Sequence, residues 1–244
     1  MFSFFRKSKL VTDISWLGVD IHSHILPGID DGSKQLSESL LYIKNLENLG
    51  FEKLIFTPHI FQELYPNTID TISEALRKVE EGIQGDDYNI TISAAAEYMV
   101  DYNFQVLDGL MSMPDNHILI EMSYLSETPN IENIVFELQV KGYKIILAHP
   151  ERYNFYHKDL KRYDRLQEMG CKFQLNLLSV LGYYGKHVQQ AAKYLLDHKM
   201  YTFAGTDLHH QKHMDLLQRN VENGQLYKLI GNYPFMNGEV FKGL

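Results

Sequence analysis

Gly18-Val19-Asp20-Ile21-His22-Ser23-His24-Ile25 is the stretch that decides the fold. An apolar run leads into a His-x-His pair. Side chains along a strand repeat with period two, so His22 and His24 face the same side and can hold one cation together. Two histidines on a strand face are by themselves ordinary polar surface. Recurrence gives them weight. Later apolar runs lead into Thr57-Pro58-His59, Ala96-Glu97-Tyr98, Ile120-Glu121-Met122, Ala148-His149-Pro150-Glu151-Arg152 and Gly205-Thr206-Asp207-Leu208-His209.

Outward from this stretch, strand-like segments fall at 18–25, 53–58, 90–96, 117–122, 144–149, 171–176 and 201–206. They are near-continuous apolar runs, as in parallel sheets covered on both faces. Between them run helical stripes. Leu36, Leu40, Ile43 and Leu46 recur over 35–49, with Gly50 as a C-terminal stop. Ile69, Ile72, Leu76 and Val79 mark 69–84, and Ile134 and Leu138 mark 131–141 before Gly142. Segments 160–169, 186–198 and 213–222 complete the alternation. Strands alternating with helices imply right-handed βαβ units. Seven such units in 244 residues suit one α/β domain, a (β/α)7 TIM-like barrel, better than an open sheet. No repeat or linker-like tract marks a domain boundary, so residues 1–17 read as an N-terminal arm and 18–244 as the barrel.

Chemistry in such a barrel gathers at the C-terminal ends of the strands. His22, His24, Asp31, His59, Glu97, Glu121, His149, Asp207 and His209 all fall at or just beyond those ends. Asn176 ends the sixth strand, as a supporting or a purely structural residue. Imidazoles and carboxylates without thiolates suit zinc, manganese or iron. One ion needs three or four protein ligands, so nine candidates point to two or three divalent ions. Such a cluster can make hydroxide from water at neutral pH and clamp phosphoryl oxygens during in-line displacement. Arg152, three residues after His149, can bind phosphate with its guanidinium fork. On its own it would read as a surface ion-pair partner.

Composition narrows the classes. A hydrophobic content of 45% with 22% charged residues is that of a globular chain. The formal net charge of −8 argues against nucleic acid as partner. Cys171 is the only cysteine, which excludes an internal disulfide framework and fits a reducing, cytoplasmic setting. Six positions beyond it stands Leu177, where a cysteine-dependent phosphatase needs arginine, so Cys171 reads as core. No run approaches the roughly 18 apolar residues of a spanning helix, so no stable membrane insertion is expected. The opening Met1-Phe2-Ser3-Phe4-Phe5-Arg6-Lys7 lacks the order of a signal peptide and reads as an arm packed on the barrel. Gly28 and Gly32 read as shaping the loop that delivers Asp31. Tyr98 and Tyr153, next to candidate ligands, are expected at the mouth. His117, His157, His187 and His198 read as surface, while His210, Lys212 and His213 follow Asp207-Leu208-His209 closely enough to reach substrate.

Taken in order, Asp20-Ile21-His22-Ser23-His24 through Asp30-Asp31-Gly32, Thr57-Pro58-His59, Glu97-Tyr98, Leu119-Ile120-Glu121, Ala148-His149-Pro150-Glu151-Arg152-Tyr153 and Asp207-Leu208-His209 resemble the polymerase and histidinol phosphatase (PHP) superfamily of phosphoesterases. The branch resembled is that of bacterial tyrosine-protein phosphatases of capsular and exopolysaccharide biosynthesis (CpsB/YwqE type), from about residue 18 to the C-terminus. The resemblance implies a distorted (β/α)7 barrel with three metals, manganese or iron being usual. His22, His24, Glu97 and Asp207 would hold one ion. Glu97, Glu121 and His149 would hold a second, and Asp31, His59 and His209 a third. Arg152 would bind phosphate, with Asp207 and His209 in the catalytic centre. Relatives often carry a second arginine after the Asp-x-His motif. Here the chain reads His210-Gln211-Lys212-His213, with Lys212 or His213 as its substitute.

The function implied is hydrolysis of phosphotyrosine on a protein, with a bacterial tyrosine kinase of polysaccharide export as partner. A phenolate leaves with a pKa near 10, which lessens the need for a general acid. Two alternatives stand beside it. One is a small-molecule phosphatase of the histidinol-phosphatase kind; the other is a barrel that binds metal or a partner without turnover.

Overall fold

The computed structural model describes residues 10–85 and 88–243. Its strands are β1 (Val19–Asp20), β2 (Lys53–Phe56), β3 (His59–Ile60), β4 (Thr91–Ala94), β5 (Glu97–Met99), β6 (His117–Glu121), β7 (Lys144–Ala148), β8 (Lys172–Asn176) and β9 (Tyr201–Gly205). All pair in parallel, in two sheets ordered β1-β2-β4 and β3-β5-β6-β7-β8-β9. The architecture is therefore α/β and parallel, but the single seven-stranded ring expected from sequence is drawn as two sheets.

The second and third expected strands are each broken in two. Pro58 has no N–H to give to a ladder, and the chain steps out of regular pairing there. Isolated bonds carry the pairing across the breaks: Ala95 N–H to the Phe56 carbonyl at 2.8 Å, and Glu97 N–H to the Pro58 carbonyl at 3.1 Å. The first expected strand is regular only over β1. Beyond it the backbone lies against the last strand, with Asp207 N–H on the His22 carbonyl at 2.7 Å and His24 N–H on the Leu208 carbonyl at 2.9 Å.

Six helices fill the expected places: α1 (Leu36–Leu49), α2 (Ile69–Ile83), α3 (Ile131–Val140), α4 (Lys161–Glu168), α5 (Lys186–Asp197) and α6 (Gln211–Glu222). Gly50 ends α1 with φ +107, and its N–H returns to the Glu47 and Leu46 carbonyls. Two short helices, α7 (Gln225–Ile230) and α8 (Asn237–Phe241), were not anticipated. Among the described residues no helix is long and apolar enough to cross a membrane.

Each strand separates two apolar layers. Ile118, Ile120, Leu147, Phe173 and Leu175 pack towards the helices. Ile55, Leu119, Ile146 and Phe203 form a second layer on the opposite face, which α8 covers with Phe241. Asn237 of α8 bonds the Ala204 N–H and carbonyl and the Val19 carbonyl. Of the expected arm, residues 10–17 are described. Ile14 and Leu17 are buried in the helix-side core, and Trp16 packs on Tyr227 and Phe235. The Phe-rich tip lies outside the described residues.

Candidate metal centre

The period-two rule that builds the strands also delivers the ligands. On the layer opposite the helices, Ala95 is followed two residues on by Glu97, Leu119 by Glu121 and Gln174 by Asn176. The apolar floor thus gives way to polar groups at the strand ends. His149 and Asp207 leave this rhythm. Both have positive φ, +33 and +49, in the left-handed region that few side chains adopt. Their backbones turn sharply at the strand ends and aim the side chains inward. Gly32 has a similar local reason: a Cβ there would meet the His24 carbonyl oxygen at 1.6 Å. The loop carrying Asp30 and Asp31 can close over His24 only with glycine at this position.

All nine expected ligands converge. His22 Nε2 lies 3.2 Å from His24 Nε2, and Glu97 Oε2 is 3.3 Å from each. Asp207 Oδ1 stands 3.3 Å from His22 Nε2 and 3.4 Å from His209 Nδ1. His149 Nε2 is 3.2 Å from Glu97 Oε1, and His59 Nδ1 is 3.1 Å from both Glu97 Oε2 and Glu121 Oε1. Asp31 Oδ1 is 3.5 Å from His59 Nε2 and from His209 Nε2. Four overlapping groups emerge: His24/Asp31/His59/His209, His22/His24/Asp207, His22/Glu97/His149 and His59/Glu97/Glu121. His22, His24, His59 and Glu97 each belong to two, and of these the Glu97 carboxylate has two oxygens to share between neighbouring groups. Glu121 lies closer to His59, at 3.1 Å, than to His149, from which it is 3.8 Å.

The donor set fits cations. His22 Nδ1 faces Gln174 Oε1 at 2.9 Å and His24 Nδ1 faces Asp30 Oδ2 at 2.8 Å. Acceptors there place the ring proton on Nδ1 and leave the Nε2 lone pairs pointing at one another. The His209 Nδ1 likewise meets the Asp207 carbonyl at 2.9 Å. Glu97 Oε2 is buried and, among the described residues, makes no hydrogen bond despite its imidazole neighbours. Lone pairs and carboxylate oxygens at these separations need positive charge between them. Burial disfavours charge on Asp30, but the pull of His24 and bonds from His24 and the Gly32 N–H hold its pKa at about 2. It stays ionised and keeps His24 oriented.

Arg152 enters from the turn after β7. Its Nη1 donates to Asp207 Oδ2 at 2.7 Å, and Asn176 Nδ2 donates to the same oxygen at 2.6 Å. The guanidinium lies between two rings, 4.5 Å from the centre of Tyr124 and 4.2 Å from that of Tyr184. The neighbouring Glu151 is fully buried and pins the turn. Its carboxylate accepts from Asn176 N–H (3.0 Å), Ser179 Oγ (2.7 Å) and Tyr201 OH (2.8 Å). A cavity of about 480 Å³ opens on these groups, with Tyr65, Tyr124, Tyr183 and Tyr184 in its wall.

Some expectations need correction. Tyr98 and Tyr153 do not line this cavity. Tyr153 is buried, donating to the Ala148 carbonyl and accepting from the Met122 N–H, and Tyr98 accepts from the Met111 N–H. Lys212 is exposed in the first turn of α6 and is not in the lining, whereas His213, the next residue, turns inward and is. Burial, with His210 beside it, pushes the pKa of His213 down to about 3, which favours its neutral form. His117 is buried against Phe203 and Phe241 rather than on the surface. Cys171 is core as expected, its thiol pushed up to about 12 by burial. Sequence reasoning passed over Asp30, Gln174, Tyr124 and Tyr184. Gln174 was readable as the residue two before Asn176, whereas nothing local singles out the tyrosines.

Known proteins resemble this chain in sequence and in fold. A family model described as capsular polysaccharide synthesis, CpsB/CapC, matches residues 18–220. The tyrosine-protein phosphatase YwqE of Bacillus subtilis (strain 168) is 28% identical over 199 residues, covering 80% of this chain and 78% of the relative. The tyrosine-protein phosphatase CpsB of Streptococcus pneumoniae is 26% identical over 202 residues, covering 78% and 82%. Among solved structures, one from work on YwqE from Bacillus subtilis and CpsB from Streptococcus pneumoniae, described as unique metal-dependent tyrosine phosphatases, matches with a TM-score of 0.79 at 26% identity, over 91% of each chain. A lactonase from Listeria monocytogenes shares the fold alone, at 10% identity and a TM-score of 0.52. The match over residues 18–220 settles the family: the chain belongs to CpsB/CapC, of capsular polysaccharide synthesis.

Proposed function

We propose that this chain is a metal-dependent protein-tyrosine phosphatase of capsule or exopolysaccharide synthesis, acting on a bacterial tyrosine kinase in the cytoplasm. The observation that carries the reading is the convergence of nine histidines and carboxylates, seven of them lining one cavity with Arg152 and His22 and His24 buried beside them. Bound divalent ions, two or three and manganese by preference, supply the charge that activates water and draws electrons from phosphorus. His22, His24, Glu97 and Asp207 would hold one such ion, Glu97, Glu121 and His149 a second, and Asp31, His59 and His209 a third. The pairing of the first strand run with the last is read as closing the two sheets into a distorted (β/α)7 barrel.

Arg152 takes the phosphate. Its planar fork would exchange the bond to Asp207 Oδ2 for bonds to two phosphoryl oxygens. Asn176 keeps its bond to Asp207 Oδ2 and holds that carboxylate in place. The tyrosine-lined wall receives an aryl group, and the phenolate departs without a strong acid. Metal analysis of the purified protein, with turnover of a phosphotyrosine peptide against histidinol phosphate, tests the reading. Preference for the peptide supports it; preference for histidinol phosphate overturns it.

A further inference from the structure

Beside the catalytic cavity lies a larger one, of about 670 Å³, built from the segment after β3 and the irregular chain after β5. The two cavities share Met99 in their linings. The segment from β3 onwards divides them by alternation: His59 and Phe61 face the catalytic side, Ile60 and Gln62 the other. The second cleft mixes apolar surface at Phe104 and Leu107 with side-chain amides at Gln62 and Gln105. Its charged lining is acidic, from Asp101 and Asp108, and no described lining residue is a cation. Asp108 is already paired with Lys141 at 2.7 Å. Asp101 has only the Asn103 N–H on its carboxylate, at 2.8 Å, and no cation within ion-pair distance among the described residues.

We propose that this cleft docks the stretch of substrate polypeptide flanking the phosphotyrosine, and that it prefers a flank carrying lysine or arginine together with an apolar side chain. The inference rests on the phosphatase reading of the adjoining site. Continuity through Met99 lets one extended chain place its phosphotyrosine among the metal ligands and its neighbouring residues in the cleft. Amide and carboxylate side chains are the partners that an extended backbone and a cationic side chain need. A free phosphorylated amino acid fills only the first cavity. Selection between protein and small-molecule substrates then comes from the second.

The test compares three substrates on the full-length, manganese-loaded protein: free phosphotyrosine, a lysine-flanked peptide and a glutamate-flanked one. The lysine-flanked peptide should exceed both others in kcat/KM by about tenfold, with the gain in KM. Asp101→Asn keeps an acceptor for the Asn103 N–H but removes the charge. Leu107→Lys alters a position that is 52% exposed, so folding tolerates it. Either should erase most of the preference while free phosphotyrosine turnover changes by less than about twofold. Equal kcat/KM for all three substrates, or variants that slow free phosphotyrosine as much as peptide, would overturn the docking cleft. Absence of turnover on every substrate overturns the phosphatase reading instead. Calorimetric binding of the same peptides carrying a non-hydrolysable phosphonate then decides the cleft by itself.

Discussion

The two ends of the strands obey opposite rules. At one end Ile55, Leu119, Ile146 and Phe203 pack into an apolar layer capped by Phe241, where only volume and shape matter. At the other, on the same faces and one strand repeat further on, Glu97 and Glu121 join five histidines and two aspartates in a largely buried, highly charged centre whose outer side, at Asp31, His59 and His209, reaches the surface. The first end stores stability; the second gives stability up, because charges taken from water destabilise the fold until cations balance them. A mutation should therefore show either in folding or in chemistry, according to the end it strikes.

Removing the ions is the strongest way to break this division. Chelation should abolish turnover and also lower the melting temperature, since the ligand end then holds lone pairs and carboxylates facing each other. Returning manganese should restore both. His149→Ala should mimic the loss of turnover while the folded state persists in circular dichroism. Unchanged melting after verified metal removal would show that the charged end is not held together by cations.

Arg152 comes next. Arg152→Lys keeps the charge but loses the planar fork and the packing between Tyr124 and Tyr184, so kcat/KM should fall by about 10²- to 10³-fold, as for loss of a preorganised charge partner. Inorganic phosphate should inhibit the variant more weakly. Full activity with lysine would mean that only charge is used there.

A smaller effect is expected one layer out. Asp30 touches no substrate and acts by fixing the His24 ring. Asp30→Asn retains a hydrogen-bond acceptor but loses the charge that favours the Nδ1 proton. Metal affinity should fall by about 10- to 100-fold, read by competition with a chelator. No change would leave His24 oriented by the Gly32 loop alone.

How much of this was legible beforehand follows from the same contrast. Helices α1 to α6 were visible because their apolar stripes and stops are local. The candidate ligands were visible because strand ends carry them in order, and His22 with His24 needed only the period of two. The breaks at Pro58 and before Glu97 were hidden, since an apolar run does not say where a ladder loses register. So were α7 and α8, too short for a helical stripe to declare itself. Tyr124 and Tyr184 matter only because folding brings them to either face of Arg152, and spacing in one chain cannot express that. The same blindness misplaced Tyr98 and Tyr153: Tyr98 follows Glu97 on β5, where neighbours alternate faces, and Tyr153 follows Arg152 on a turn that buries it.

The least effect on chemistry is expected from the apolar end, and it is the sharpest check on the division. Leu119 is fully buried two residues before Glu121 on the same strand face. Leu119→Ala should cost about 2–5 kcal/mol of stability through lost burial and a residual cavity, measured by denaturant unfolding of the metal-loaded protein. Its kcat per folded molecule should stay near that of the parent, because Glu121 is held at its own end by β6 pairing with β5, where it lies opposite Met99 and its carbonyl accepts from the Val100 N–H, as well as by the floor beneath it. If kcat instead fell in step with the loss of stability, floor and ligand shell would act as one rigid unit, and positioning of the ions would depend on packing a full strand repeat away.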